Sequence, residues 1–340
     1  MNETPRASFP GLVDLAVANL GGEALATSDD FFAGMENLVK PDPAIFLPDE
    51  YTDRGKWMDG WESRRKRTKG YDWCVLKLGV PGRVRGLDID TAHFLGNHPP
   101  YASLEVAHVA PGDSWEDAAW TEVLEQSPLR PGSQNLFTVH SEQVVTHVRL
   151  NIFPDGGVAR LRVYGDVEPR WGHDRIDELT AEHIADGDVD LASVKNGGLA
   201  LACSDSFFGP MNNLIAPDRA ANMGGGWESR RRRGPGYDWI LLRLGAPGTL
   251  GCIEIDTNHF KGNFPDRCSL EGVRLPGARI TDLLDAEWET VLGETKLAAH
   301  DRKFIRDLEA RGPFTHLRFN IFPDGGVSRL RAWGEREVSE

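Results

Sequence analysis

The sequence predicts an all-β protein made of two tandem antiparallel β-sandwiches. Three observations carry this. Long blocks of the chain occur twice in the same order. Apolar residues in the strongest segments recur with period two. Short apolar runs are separated by Gly/Pro turns, and long amphipathic helical patterns are missing.

The duplication has three blocks. Leu25-Ala26-Thr27-Ser28-Asp29-Asp30-Phe31-Phe32 matches Leu201-Ala202-Cys203-Ser204-Asp205-Ser206-Phe207-Phe208. The longest block opens on Gly60-Trp61-Glu62-Ser63-Arg64-Arg65 and on Gly226-Trp227-Glu228-Ser229-Arg230-Arg231. The third is Asn151-Ile152-Phe153-Pro154-Asp155-Gly156-Gly157 against Asn320-Ile321-Phe322-Pro323-Asp324-Gly325-Gly326. The offset falls from 176 at Ser28/Ser204 to 166 at Glu62/Glu228, so the first copy carries about ten extra residues near Pro41 to Trp57. The prolines there mark a surface loop. The expected division is a first repeat over 11–166, a charged linker over 167–186 with a short helix around Asp177–His183, and a second repeat over 187–336.

Within each copy the strands announce their faces. Cys74, Leu76 and Leu78 share one face, as do Ile240, Leu242 and Leu244, with Lys77 or Arg243 opposite. Val148, Leu150 and Ile152 alternate with Arg149 and Asn151. Ala159, Leu161 and Val163 alternate with Arg160, Arg162 and Tyr164. Pro154-Asp155-Gly156-Gly157 between these two strands is a tight turn.

Composition narrows the class. Of the 340 residues, 40% are hydrophobic and 26% charged, which fits two folded domains rather than a disordered chain. No apolar run reaches the roughly 20 residues of a membrane helix, and Met1-Asn2-Glu3-Thr4-Pro5 predicts no secretory leader. A net charge of −14 disfavours nucleic acid as a partner. Cys74, Cys203, Cys252 and Cys268 each face a non-cysteine in the other copy, which argues for small buried fillers and a reducing cytoplasm.

Polar residues present in both copies are the candidates for chemistry. In Trp-Glu-Ser-Arg-Arg, Glu62 (Glu228) is an acid or base, while Arg64 and Arg65 (Arg230 and Arg231) suit an anionic substrate through the planar guanidinium fork. The plainer reading is a solvated basic loop. In Ile89-Asp90-Thr91-Ala92-His93-Phe94-Leu95-Gly96-Asn97, Asp90 can orient His93, and the second copy offers Asp256 and His259. The alternative is that the Asp caps the loop backbone and the His fills a polar niche. Asn151 and Asn320 are candidate amide binders, and Asp155 is a turn residue. Asp, His and Glu are all metal ligands, but no paired-histidine spacing supports zinc. No G-x-S-x-G, P-loop or dinucleotide fingerprint occurs.

These duplicated blocks, together with Tyr-Asp-Trp, resemble the allantoicase family over nearly the whole chain. The resemblance implies two jelly-roll, galactose-binding-like domains. It also implies hydrolysis of allantoate to ureidoglycolate and urea, in purine breakdown through allantoin. On that chemistry an arginine holds the carboxylate, amides such as Asn97 and Asn263 hold the ureido arms, and Glu62, Asp90 and His93 (Glu228, Asp256 and His259) share the proton transfers. The copies differ at Ala92/Asn258, His98/Phe264 and Asp88/Glu254, so their sites need not be equivalent. Allantoate is the expected partner, in a cytoplasmic homo-oligomer without nucleic acid or membrane. No cofactor is required, although a divalent metal could hold the carboxylate. The competing class is a non-catalytic carbohydrate- or small-ligand-binding tandem sandwich, with Trp61, Trp73, Trp227 and Trp239 as its best support.

Overall fold

The computed structural model describes residues 9–172 and 176–338. The chain divides after Glu168 into two compact units. Each is built around one unusually long strand, Asp72–Asp90 in the first and Asp238–Asp256 in the second.

In the first unit this strand changes both neighbours part-way. Its first half pairs with Glu23–Thr27 on one side and Val145–Phe153 on the other. Its second half pairs with Arg160–Val167 and Leu136–Thr138. One strand therefore serves both layers of a sandwich, and Tyr101–Ala107 and Thr121–Pro128 extend the first layer. All of these pairings are antiparallel. The second unit repeats the arrangement strand for strand around Asp238–Asp256. Both units are jelly-roll-like sandwiches. Among the described residues no helix is long and apolar enough to cross a membrane.

The period-two faces pack as expected. Cys74, Leu76, Leu104, Val148, Leu150, Leu161 and Val163 are all fully buried. Trp61 and Trp227 are also fully buried, each donating its indole N–H to a backbone carbonyl, of Asp29 or Asp205. They are core residues, not stacking platforms. The four cysteines are unpaired, and three of them are buried.

Arg160 departs from the alternation. Its position on the outward side of the strand predicts a wet guanidinium, but it is 2% exposed. The loop that runs from Asn37 to Trp61 folds over it: Nη2 donates to Asp59 Oδ2 at 2.7 Å, Nη1 to Asp59 O, and Nε to Asp42 O. A charge can stay buried when it is paired and hydrogen-bonded on every side. The insert otherwise lies on the surface and contains a small hairpin, Tyr51–Thr52 with Gly55–Lys56. In the segment 167–186, a short helix spans Glu178–Ala181, capped by Asp177. Asp177 is also ion-paired to Arg302, which ties this segment to the second sandwich.

The turn at Asp155-Gly156-Gly157 locks three loops together. Gly156 has φ of 143°, a region that favours glycine. A Cβ on Gly157 would fall inside the ring of Phe94, which is fully buried against it. Gly326 and Phe260 repeat this contact. Gly157→Ala should therefore destabilise the protein by about 1–3 kcal/mol. Gly96→Ala, whose Cβ would meet nothing within 4 Å, should change stability by less than about 0.5 kcal/mol. Thermal or denaturant unfolding of the two variants checks the contrast.

Candidate active site

The fold brings the three repeated blocks to one place in each unit. The short strand Trp61–Glu62 pairs with Gly157–Val158 on one side, and the Glu62 backbone bridges to Ala33 on the other. Ser63 N donates to Gly156 O, and Gly156 N donates back to Ser63 Oγ. Gly157 N donates to Asn97 O at 2.8 Å, which fixes the backbone of the Asn97 loop. The Asn97 side chain then donates from Nδ2 to Glu62 Oε1 at 2.7 Å. In the second unit Asn263 donates to Glu228 Oε1 in the same way, with Gly326 N on Asn263 O.

Glu62 is half-buried, and burial pushes its carboxyl above the usual glutamate range, while the hydrogen bond from Asn97 pulls the other way. A second acidic group stands nearby. Asp29 accepts from both the backbone N and Nε of Arg64, at 2.9 and 2.7 Å, and Asp205 does so for Arg230. Partial burial would raise Asp29, but the hydrogen bonds from Arg64 and Phe31 outweigh it and hold it below the usual range. Arg64 and Arg230 each lie 5.1 Å from a phenylalanine ring, Phe31 or Phe207. Arg65 and Arg231 are exposed and take part in no hydrogen bond or ion pair among the described residues. Of the two tandem arginines, the first is thus already neutralised and the second is not. Asp155 and Asp324 accept from the backbone N of Lys66 and Arg232, as turn residues do.

The Asp-His motif is arranged differently from a proton relay. Asp90 Oδ1 accepts from Ala92 N at 2.8 Å, an Asx turn within its own loop. His93 is in the left-handed region at φ 70°, with Nε2 3.0 Å from Ala44 O and its ring stacked on Phe46. In the second unit Asp256 caps Asn258 N and also receives two hydrogen bonds from Arg219, while His259, at φ 71°, reaches Ala220 O. Among the described residues no hydrogen bond joins Asp90 to His93 or Asp256 to His259. The motif shapes the loop that carries Asn97 and Asn263.

Asn151 and Asn320 make no hydrogen bond to the Glu–Asn pair among the described residues. Asn151 Nδ2 donates to Ser103 Oγ and Glu105 Oε2, beside the Arg149–Glu105 ion pair, and Asn320 repeats this with Ser269 and Glu271. Their Oδ1 atoms are buried without a hydrogen-bond partner. Asp29, Asp205, Phe31 and Phe207 are the site residues that sequence reasoning passed over, although the repeated Ser-Asp-x-Phe-Phe displayed them. Among the described residues no three His, Cys, Asp or Glu side chains are grouped to hold a metal ion.

Next to Asp90, Asp88 marks a difference between the copies. It is 2% exposed and accepts from Gln134 Nε2 and Asn135 N. Burial first, and repulsion by Asp90 second, push its carboxyl up to about 7. Its counterpart Glu254 faces Arg302 at 2.6 Å instead.

Two tandem sandwiches each present the same constellation, a carboxyl–amide pair with arginines and an aromatic beside it. The family model described as "Allantoicase repeat" matches residues 13–168 and again 189–337. The chain is 48% identical over 325 residues to a protein of Burkholderia mallei named probable allantoicase 1, covering 95% of this chain and 94% of that one. A probable allantoicase of Photobacterium profundum is 47% identical, with 96% and 97% covered. The crystal structure of allantoicase from Saccharomyces cerevisiae superposes with a TM-score of 0.80 at 34% identity, covering 95% of this chain and 93% of that one. The chain belongs to the allantoicase family.

Because the Asp88 carboxyl is raised, its contribution to stability is fully present below its unfolded value of about 4 and is lost as pH rises through about 7. Relative to Asp88→Asn, the wild-type protein should therefore lose stability between pH 5 and pH 8. Unfolding midpoints of the two proteins across that range check the sign, and a flat difference contradicts it.

Proposed function

We propose that the protein hydrolyses allantoate to ureidoglycolate and urea, and that the Glu62–Asn97 pair, with its copy Glu228–Asn263, is the reacting centre. The observation that carries the assignment is the half-buried Glu62 carboxyl with one oxygen held by Asn97 and its proton affinity raised.

The substrate's central carbon bears a hydrogen, a carboxylate and two ureido nitrogens. The nitrogen that stays can push out the other arm, provided the departing nitrogen receives a proton. A raised carboxyl is suited to supply it. The resulting N-acyliminium ion, which keeps its N–H, takes water at the same carbon, and the carboxylate just formed accepts the proton that water loses. One C–N bond is broken, one C–O bond is made, and Glu62 ends as it began. Asn97 holds Oε1, leaving Oε2 for both transfers. Arg65 and Arg231, not engaged elsewhere, are placed as carboxylate holders. Arg64 and Arg230, neutralised by Asp29 and Asp205, act by fixing the loop. Asp90, His93, Asp256 and His259 act as positioning residues for Asn97 and Asn263. Asn151 and Asn320 take no part in the reaction on this reading.

The same reading places the protein in the cytoplasm, where its unpaired cysteines stay reduced, with a charge of −14 unsuited to nucleic acid. It assembles as a homo-oligomer, for which the exposed Ile45, Phe46, Leu47 and Tyr51 of the insert are apolar surface to cover.

Purified protein should release urea from allantoate, and the release should survive a chelator. Glu62→Gln together with Glu228→Gln should lower kcat by about 10²–10⁴-fold while substrate binding persists. Wild-type protein that releases no urea, or a double variant at full rate, contradicts the assignment. Release lost on chelation would transfer the role from the carboxyl alone to a metal.

A further inference from the structure

We infer that the second unit contains a separate binding cavity for a small carboxylate bearing ureido or amide N–H groups. The cavity measures about 310 Å³, within the lower range of small-molecule sites, about 300–1,000 Å³. Its floor is the end of strand Asp238–Asp256, with Glu254 and Asp256, and the strand Arg329–Arg336, with Arg329 and Arg331. Glu228 and Asn263 do not line it.

Comparison of the two copies gives the cavity its meaning. Lys195 corresponds to Asn19 at the offset of 176, and Arg219 to Pro43. Arg302 occupies the place of Gln134, since Glu254 faces Phe304 in register just as Asp88 faces Leu136. Three neutral positions around the cavity have thus become cationic in one copy only. Several of these charges are already matched: Arg219 by Asp256, Arg302 by Glu254 and Asp177, and Arg331 by Asp190. Two are not hydrogen-bonded to any carboxylate. Arg329, 5% exposed, donates only to backbone carbonyls, those of Asn213, Asp218, Gly225 and Ser328 among them. Lys195 takes part in no hydrogen bond or ion pair among the described residues, yet it lines the cavity. A carboxylate entering here can pair with Lys195, and Arg329 adds to the positive charge of the lining. The Asp218 carboxylate, which also lines the cavity and is exposed to solvent, accepts N–H groups. A ligand with a carboxylate at one end and ureido N–H groups at the other uses both.

The choice of a ureido ligand rests on the function proposed above; the cavity and its charge do not. The test uses N-carbamoylglycine, which carries one ureido arm and one carboxylate. It is titrated by calorimetry into full-length Arg65→Gln/Arg231→Gln protein, in which both reacting centres have lost their carboxylate holder, so that binding at the cavity is read by itself. The expected result is saturable binding near one per chain, at least tenfold weaker in Lys195→Asn, largely kept in Lys195→Arg, and weaker for acetate. Asn is the residue the first unit carries at this position, so the variant asks for no new packing. Absence of saturable binding, or equal affinity in Lys195→Asn, overturns the site. Equal affinity for acetate overturns its ureido specificity. Failure of the proposed reaction would show separately, as no urea released by the wild-type protein.

Discussion

The seating of one phenylalanine ring against a glycine that cannot be anything larger holds each site together. Phe94 fills the space a Cβ on Gly157 would need, and Phe260 does the same at Gly326. Burying such a ring contributes about 1.5–3 kcal/mol. Its structural effect is greater than its energy. It presses the Ile-Asp-Thr-x-His-Phe loop onto the Pro-Asp-Gly-Gly turn, so that Asn97 O meets Gly157 N and Asn97 Nδ2 meets Glu62. The left-handed histidine and the Asx turn at Asp90 give the loop the curvature that this contact demands. Residues that look chemical in the sequence are therefore partly there to aim the Asn.

Around this shared frame the copies have separated. The first carries Asp59, which neutralises the buried Arg160, and has gained an insert. It also places Arg54 5.0 Å from the Phe31 ring that Arg64 already approaches. The second has Gly225 where the first has Asp59, so Arg329 keeps the same buried position with carbonyls alone. Burial first, and the neighbouring Arg331 second, bring Arg329 down to about 10. The second copy also gave Glu254 a partner in Arg302, whereas Asp88 remains without a cation bonded to it and rises to about 7. Duplication kept the backbone constraints and let the charge balance drift in opposite directions.

Much of this was legible in the sequence. The tandem architecture, the strand faces around Leu76, Leu150 and Leu161, and the turn at Pro154 follow from local pattern, and local pattern is where sequence is informative. The block containing Glu62 and the block containing Asn97 were each recognisable, but their meeting was not, because it depends on a third segment 60 residues further on. The burial of Arg160 was not legible, because alternation reports the strand and says nothing of the loop that covers the guanidinium, in both copies, from a distant part of the chain. The pairing of Arg64 with Asp29 was also hidden: tandem arginines look alike until a distant carboxylate selects one. The kinship of Arg302 with Gln134 needed strand register, since the sequence between the copies does not align there.

The pH dependence of kcat/KM for allantoate, in a Glu228→Gln background, measures the coupling between Asn97 and Glu62. With Asn97 in place, the limb assigned to Glu62 should lie above the ordinary glutamate value of about 4.3, because burial raises the carboxyl. Asn97→Ala removes the one hydrogen bond that opposes this rise, so the limb should move to higher pH. A limb at the same pH in both proteins would mean that another group carries the reacting proton, and the central claim would be wrong.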